Sequence, residues 1–211
     1  MLAASLRRGI IFSLLLTLGS AYAGDEALSD YEWQLNTPGR TLFRDRTPVG
    51  QVPLSADGGK GLFAKKGKTS GEQLQVLSDI AFQPGDTTRY FALGLRLIDG
   101  DQLIAESFAD ADEVPGLLSA ARYVVSTATN IADTERSETE IYFQSRAGFK
   151  LQFVQVGKAQ AYVCSFHAGN AERTVSRALT GDQVSIFADL IDLALFELNR
   201  QGAGIKIPKS N

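Results

Sequence analysis

The stretch Thr180–Arg200, TGDQVSIFADLIDLALFELNR, decides how this chain is put together. Val184, Phe187, Leu190, Ile191, Ala194, Leu195 and Leu198 recur at helical intervals and so share one face. Thr180 with Gln183 has the form of a capping box, in which hydroxyl and amide each satisfy a backbone N–H of the first turn. Leu179 and Val184 flank it as a hydrophobic staple. Gly202 supplies a residue suited to the left-handed conformation that stops a helix. The spacing predicts a closing helix with one apolar face.

Seventy residues earlier the pattern returns in DADEVPGLLSAARYVVSTA. Val114, Leu117, Ala120, Ala121, Val124, Val125 and Ala128 stand where the closing helix has its apolar positions. Asp110 and Glu113 match Thr180 and Gln183. Pro115 fixes the start, because proline is tolerated only in the first turn, and a beginning at Asp112 places it there.

Strand-like segments precede each helix. Leu74, Val76, Ser78, Ile80 and Phe82 alternate along one face, Pro84-Gly85-Asp86 turns the chain, and Phe91, Leu93, Leu95 and Leu97 line a second strand. Asp99-Gly100 suits a tight hairpin turn into Leu103–Phe108. In the second half Ile141, Phe143, Ser145 and Ala147 alternate, followed by Phe149, Leu151 and Phe153, a turn at Gly157-Lys158, and Ala159–Phe166. HAGNAERTVSRAL then reads as a loop. Two strand-strand-strand-helix halves, 72–130 and 138–202, predict an α+β domain spanning 72–202. Its antiparallel sheet carries both helices on one face, and the halves read as an internal repeat. Residues 203–211 read as a loose or lightly docked tail.

The N-terminal third divides differently. Arg7 and Arg8, an apolar Ile10–Leu18 and Ala21-Tyr22-Ala23 form the three parts of a secretory signal, predicting export to the periplasm or medium with cleavage after Ala23. The apolar run is too short for a membrane span, so no stable anchor is expected. Residues 24–71 read as an irregular segment with short strands near Trp33 and Leu35, at Leu42 and Phe43, and at Val49–Leu54, where Pro53 marks a sheet edge. Gly61, Gly67, Lys68 and Thr69 approach a phosphate-binding loop. Five residues separate the two glycines where that motif needs four, and no helix follows, so residues 58–71 read as a Gly/Lys-rich loop.

Removing residues 1–23, with Arg7 and Arg8, from a 211-residue chain of net charge −3 leaves 188 residues at −5. That size suits one domain with its own core. A mildly acidic chain with scattered basic residues gives no footprint for nucleic acid. A single cysteine excludes an internal disulfide.

Candidate chemistry is sparse. Cys164 and His167 are the only thiol and the only imidazole, and a Cys–His pair can act as nucleophile and base. An odd offset on a strand sends them to opposite faces, with Cys164 beside Tyr162 and Phe166 as an inert core thiol. One His and one Cys also fall short of a zinc site. Asp110, Asp112 and Glu113 lack the loop of a calcium hand and read as helix capping. Arg146, beside Gly148, sits where a hairpin tip could hold an anion. No catalytic, cofactor or metal residue is assigned.

The runs RYFALGLRLID, IAESFADADEVPGLLSAARYVV and ETEIYFQSRAGFKLQF, across Arg89–Phe153, resemble a group of exported bacterial proteins with no assigned activity. The shared features fall on Asp110, Asp112, Glu113, Tyr142, Arg146, Gly148 and Phe149. The resemblance implies an exported bacterial protein and supplies no mechanism. The expected function is non-catalytic binding of a partner protein or small ligand. The alternatives are an unrecognised enzyme, a hydrolase using Cys164 and His167, or a structural part of a cell-envelope assembly.

Overall fold

The computed structural model describes residues 29–54, 71–167 and 174–206. The signal segment 1–23, the near-motif at Gly61–Thr69 and the end of the tail lie outside them. In chain order the elements are α1 (Asp30–Asn36), β1 (Phe43–Pro53), β2 (Glu72–Phe82), β3 (Tyr90–Asp99) and β4 (Gln102–Asp110), then α2 (Val114–Ile131). The second half runs β5 (Arg136–Gln144), β6 (Phe149–Gly157), β7 (Ala159–His167), β8 (Thr174–Leu179) and α3 (Gly181–Arg200).

The class is α+β, and each half ends in a helix as the sequence predicts. The strands form two four-stranded antiparallel sheets, β1-β2-β3-β4 and β5-β6-β7-β8, where a single sheet was expected. Each half gains a strand at the position that periodicity reads least well. β1 is one continuous run of eleven residues, its alternation broken by a bulge between Pro48 and Gly50. It is an edge strand, as Pro53 implies. β8 lies in the segment expected to be a loop, because TVSRAL is too polar to read as a half-buried strand. Near Trp33 the chain is helical, where a strand was expected. Ser29 caps α1 by accepting from the Glu32 N–H at 2.9 Å.

The closing helix follows its signals. Thr180 Oγ1 accepts from Gln183 N at 3.2 Å and Gln183 Oε1 accepts from Thr180 N at 2.8 Å. Gly202 takes φ +103°, and the Ala203 N–H reaches back to the Leu198 carbonyl. The tail is docked as far as Ile205, whose backbone N–H and carbonyl both bond the Asn199 side chain. α2 starts at Val114, two residues later than Asp112, with Pro115 in its first turn.

The helices exchange sheets. α3, from the second half, lies on β1, β2 and β3; α2, from the first, lies on β5 and β6; the two pack on each other. Gly50 leaves the space that Leu190 occupies, since a Cβ there would fall 2.5 Å from Cδ2. Gln183 Nε2 donates to the Pro53 carbonyl and Ser78 Oγ to Gln201 Oε1, tying both ends of α3 to the first sheet. Gln160 Nε2 donates to the Ala128 carbonyl and Gly116 packs on Phe143, fixing α2 to the second. One core results. Leu74, Val76, Leu93, Leu95 and Leu97 meet Leu117, Phe149, Leu151, Phe153, Phe187 and Ile191 within it.

Leu117 and Phe187 are both fully buried. Replacing either by Ala should destabilise by about 2–5 kcal/mol, from lost burial and a residual cavity, measured by denaturant melts. Truncation before Thr180 should abolish cooperative unfolding, because the first sheet then loses its cover; a truncated chain that still melts sharply refutes the shared core.

Candidate functional site

The outward face of the first sheet carries a charged cluster built from mid-strand residues. On β2, Leu74, Val76 and Ser78 point to α3, so Asp79 points the other way, toward α1. Register sets Arg46 opposite Asp79 and Arg96 opposite Glu106. Arg44 shares that face. Arg44 Nη2 donates to Asp79 Oδ2 at 2.8 Å, and its Nε to Tyr31 Oη at 3.1 Å. Its guanidinium also lies over the Phe108 ring, 5.2 Å from the centroid. Arg46 reaches Glu106 Oε1 at 3.2 Å, and Arg96 Nε donates to the same oxygen at 2.6 Å.

Asp79 is fully buried, and Gly94 makes room for it: a Cβ at 94 would fall 2.7 Å from Asp79 Oδ2. Any larger residue there displaces the carboxylate. Asp79 Oδ1 and Arg46 Nε stand 3.6 Å apart, and neither has a hydrogen-bond partner among the described residues. The side chains of Arg44, Arg46 and Arg96 remain 22–25% exposed. Burial pushes the Asp79 carboxyl up to about 6, against the pull of Arg44. Burial also raises Glu106. Three guanidiniums over two carboxylates leave one positive charge in excess, presented from rigid strands. Such an array can hold an anion.

A second cluster joins three elements. Asp110 accepts from the backbone N–H groups of Asp30 and Tyr31, so this carboxylate caps α1 rather than the helix that follows it. Glu113 likewise makes no capping bond to α2. Its oxygens accept from Asp110 N and Arg146 N, both at 2.9 Å. The Arg146 guanidinium faces Asp110 at 3.1 Å, Asp112, and Glu113 at 3.5 Å. Arg146, at the hairpin tip where an anion could be held, is instead surrounded by three carboxylates. The capping expected of the acidic cluster is thus moved to α1, because the β4–α2 turn brings Asp110 under that helix. No group of residues suited to a metal ion occurs among the described residues.

Cys164 and His167 lie on opposite sides of β7, as the odd offset predicts. Cys164 is wholly buried in the core, and desolvation pushes its thiol up to about 12. His167 is exposed, with Nε2 3.3 Å from Thr174 Oγ1 across the β7–β8 pair. Gly148 packs on its Cβ at φ +81°, so the histidine helps seat the β5–β6 turn. No nucleophile–base pair is assembled here.

Sequence reading missed the arginine cluster. The signal was present as charges at 44, 46, 79, 96 and 106, all within strands. Alternation assigns such positions to solvent, and only the presence of α1 over one end of the face shows otherwise. No protein-family model matches the chain, and no curated protein or solved structure matches it.

Two outcomes follow from these environments. Alkylation of Cys164 near neutral pH should be as slow as global unfolding, and His167→Ala should leave its rate unchanged; fast labelling in the folded state refutes the buried thiol. Asp79 holds its proton more tightly in the folded chain, so between the ordinary value of 3.8 and about 6 the folded state binds more protons than the unfolded one. Stability contributed by Asp79 is therefore present in acid and falls as pH rises through that window, by on the order of 3 kcal/mol. Denaturant melts of Asp79→Asn should lack this component; an unchanged profile shows that Asp79 does not carry it.

Proposed function

We propose that the mature chain is an exported, non-catalytic binding domain that takes a ligand bearing an oxyanion group on the arginine face of the first sheet. The observation that carries this reading is the cluster's donor surplus. Arg96 uses only Nε in hydrogen bonding among the described residues. Arg46 adds a further positive charge, its Nε turned inward 3.6 Å from Asp79 Oδ1. Guanidinium edges pair well with planar or tetrahedral oxyanions. Fixed strands reduce the entropy lost on binding.

Export rests on the tripartite segment 1–23. It is compatible with the described helices, none of which is long and apolar enough to cross a membrane. The matching element order of the halves supports a duplicated unit. The hydrolase alternative loses its support, because its thiol is enclosed and separated from its base.

Isothermal titration of the mature chain at low salt, with inorganic phosphate and separately with succinate, tests the reading. Saturable binding of either anion is expected, weakened about tenfold or more, or ~1.4 kcal/mol, in Arg96→Gln. Arg96→Lys should retain part of it. Absence of saturable binding by both anions, or affinity unchanged in Arg96→Gln and Arg46→Gln alike, overturns the proposal.

A further inference from the structure

α3 buries one face and leaves apolar residues on the other. Ile186 is 44% exposed, Leu193 56% and Phe196 66%. At 3.6 residues per turn, Asp182, Ile186, Asp189, Leu193, Phe196 and Arg200 fall within an arc of about 80° opposite the buried side. A surface helix in a self-sufficient domain presents a polar outer face. This one carries a stripe of three large apolar side chains with an acid at its N-terminal end and a base at its C-terminal end.

The order of that stripe has a symmetry. Counted from Ile191, Asp182 and Arg200 stand nine residues to either side, Ile186 and Phe196 five, and Asp189 and Leu193 two. Laid antiparallel on a second copy, with a two-fold axis across the stripe at the level of Ile191 along the helix, the stripe meets itself in register. Ile186 then faces Phe196 of the other copy, and Asp182 faces Arg200. Two-fold interfaces require this self-complementarity, in which each residue meets the partner of its own match. The ends complement in charge as well. Arg200 is held against Glu197 through Nε and Nη2, which leaves Nη1 for a carboxylate across the axis. Asp192 on the flank is already paired with Arg122 of α2, so it adds no net charge at the stripe's edge.

We infer that this surface is an interface between two copies of the chain, packed antiparallel through α3. The inference is independent of the anion site, which lies on the opposite face of the first sheet. Asp189 sets the affinity. Its two copies lie close to the axis, with only Leu193 opposite, and their repulsion holds the dimer in the weak, reversible range.

Sedimentation equilibrium of the mature chain from micromolar concentration to about 1 mM tests this. A reversible dimer is expected. Leu193→Glu should abolish it while melting like the parent, since the side chain is already exposed. Asp189→Asn should tighten it about threefold or more. Arg200→Glu should weaken it, and adding Asp182→Arg should restore it. Each of these two changes opposes the helix dipole, so a merely structural effect would worsen with the second, and recovery reports pairing across the axis. A monomer at the highest concentration overturns the inference. So does a dimer that survives Leu193→Glu, or one that the double charge exchange fails to restore.

Discussion

Each sheet is closed by the helix that belongs to the other half of the chain, and the rest of the structure depends on that exchange. A four-stranded antiparallel sheet with one apolar face cannot stay in water alone. Here the cover of the first sheet is supplied by residues 181–200, far along the chain from β1–β4. Phe149 ties the second sheet to the helix that covers the first. It packs on Phe166 within its own sheet and on Phe187 of α3, with centroids 5.3 and 5.9 Å away. The notch at Gly50, filled by Leu190, fixes α3 along the first sheet as Thr180 and Gln183 fix its start.

Covering one face of the first sheet leaves the other to be managed, and there the solution is electrostatic. α1 covers part of it through Tyr31, Phe108 and Ala92, while the remainder holds arginines and carboxylates in alternating rows. Asp79 sits at the meeting point. Its burial is costly, and Arg44 and Arg46 offset that cost without removing it, as the raised proton affinity records. A buried carboxylate so incompletely satisfied, in a place that Gly94 keeps open, contributes little to stability once it is ionised.

Much of this architecture was legible in the chain. The two long helices were read from periodicity and caps because their apolar faces are nearly unbroken and Thr180, Gln183 and Gly202 act locally. The burial of Cys164 followed from strand parity alone. Strands β1 and β8 were not legible as they stand. Pro48 and Gly50 interrupt the alternation of β1, and β8 is held by its pairing with β7 rather than by apolar content. The exchange of helices has no local signal, since the same apolar face would fit either sheet. The same holds for Asp110, whose carboxylate finds its backbone partners 80 residues away in the chain, at Asp30. Arg146 shows the converse. Its position at a turn was readable, but not the three carboxylates that the fold gathers around it.

The exchange also orders events in time. During synthesis β1 to β4 emerge before their cover exists, and the inner face of the first sheet stays wet until α3 arrives. Contacts of such large sequence separation are formed late, because the loop between them must be closed first. A first half that cannot complete itself remains unfolded for longer, with its apolar sheet face in water. The topology therefore delays closure of the first sheet until residues 181–200 are available.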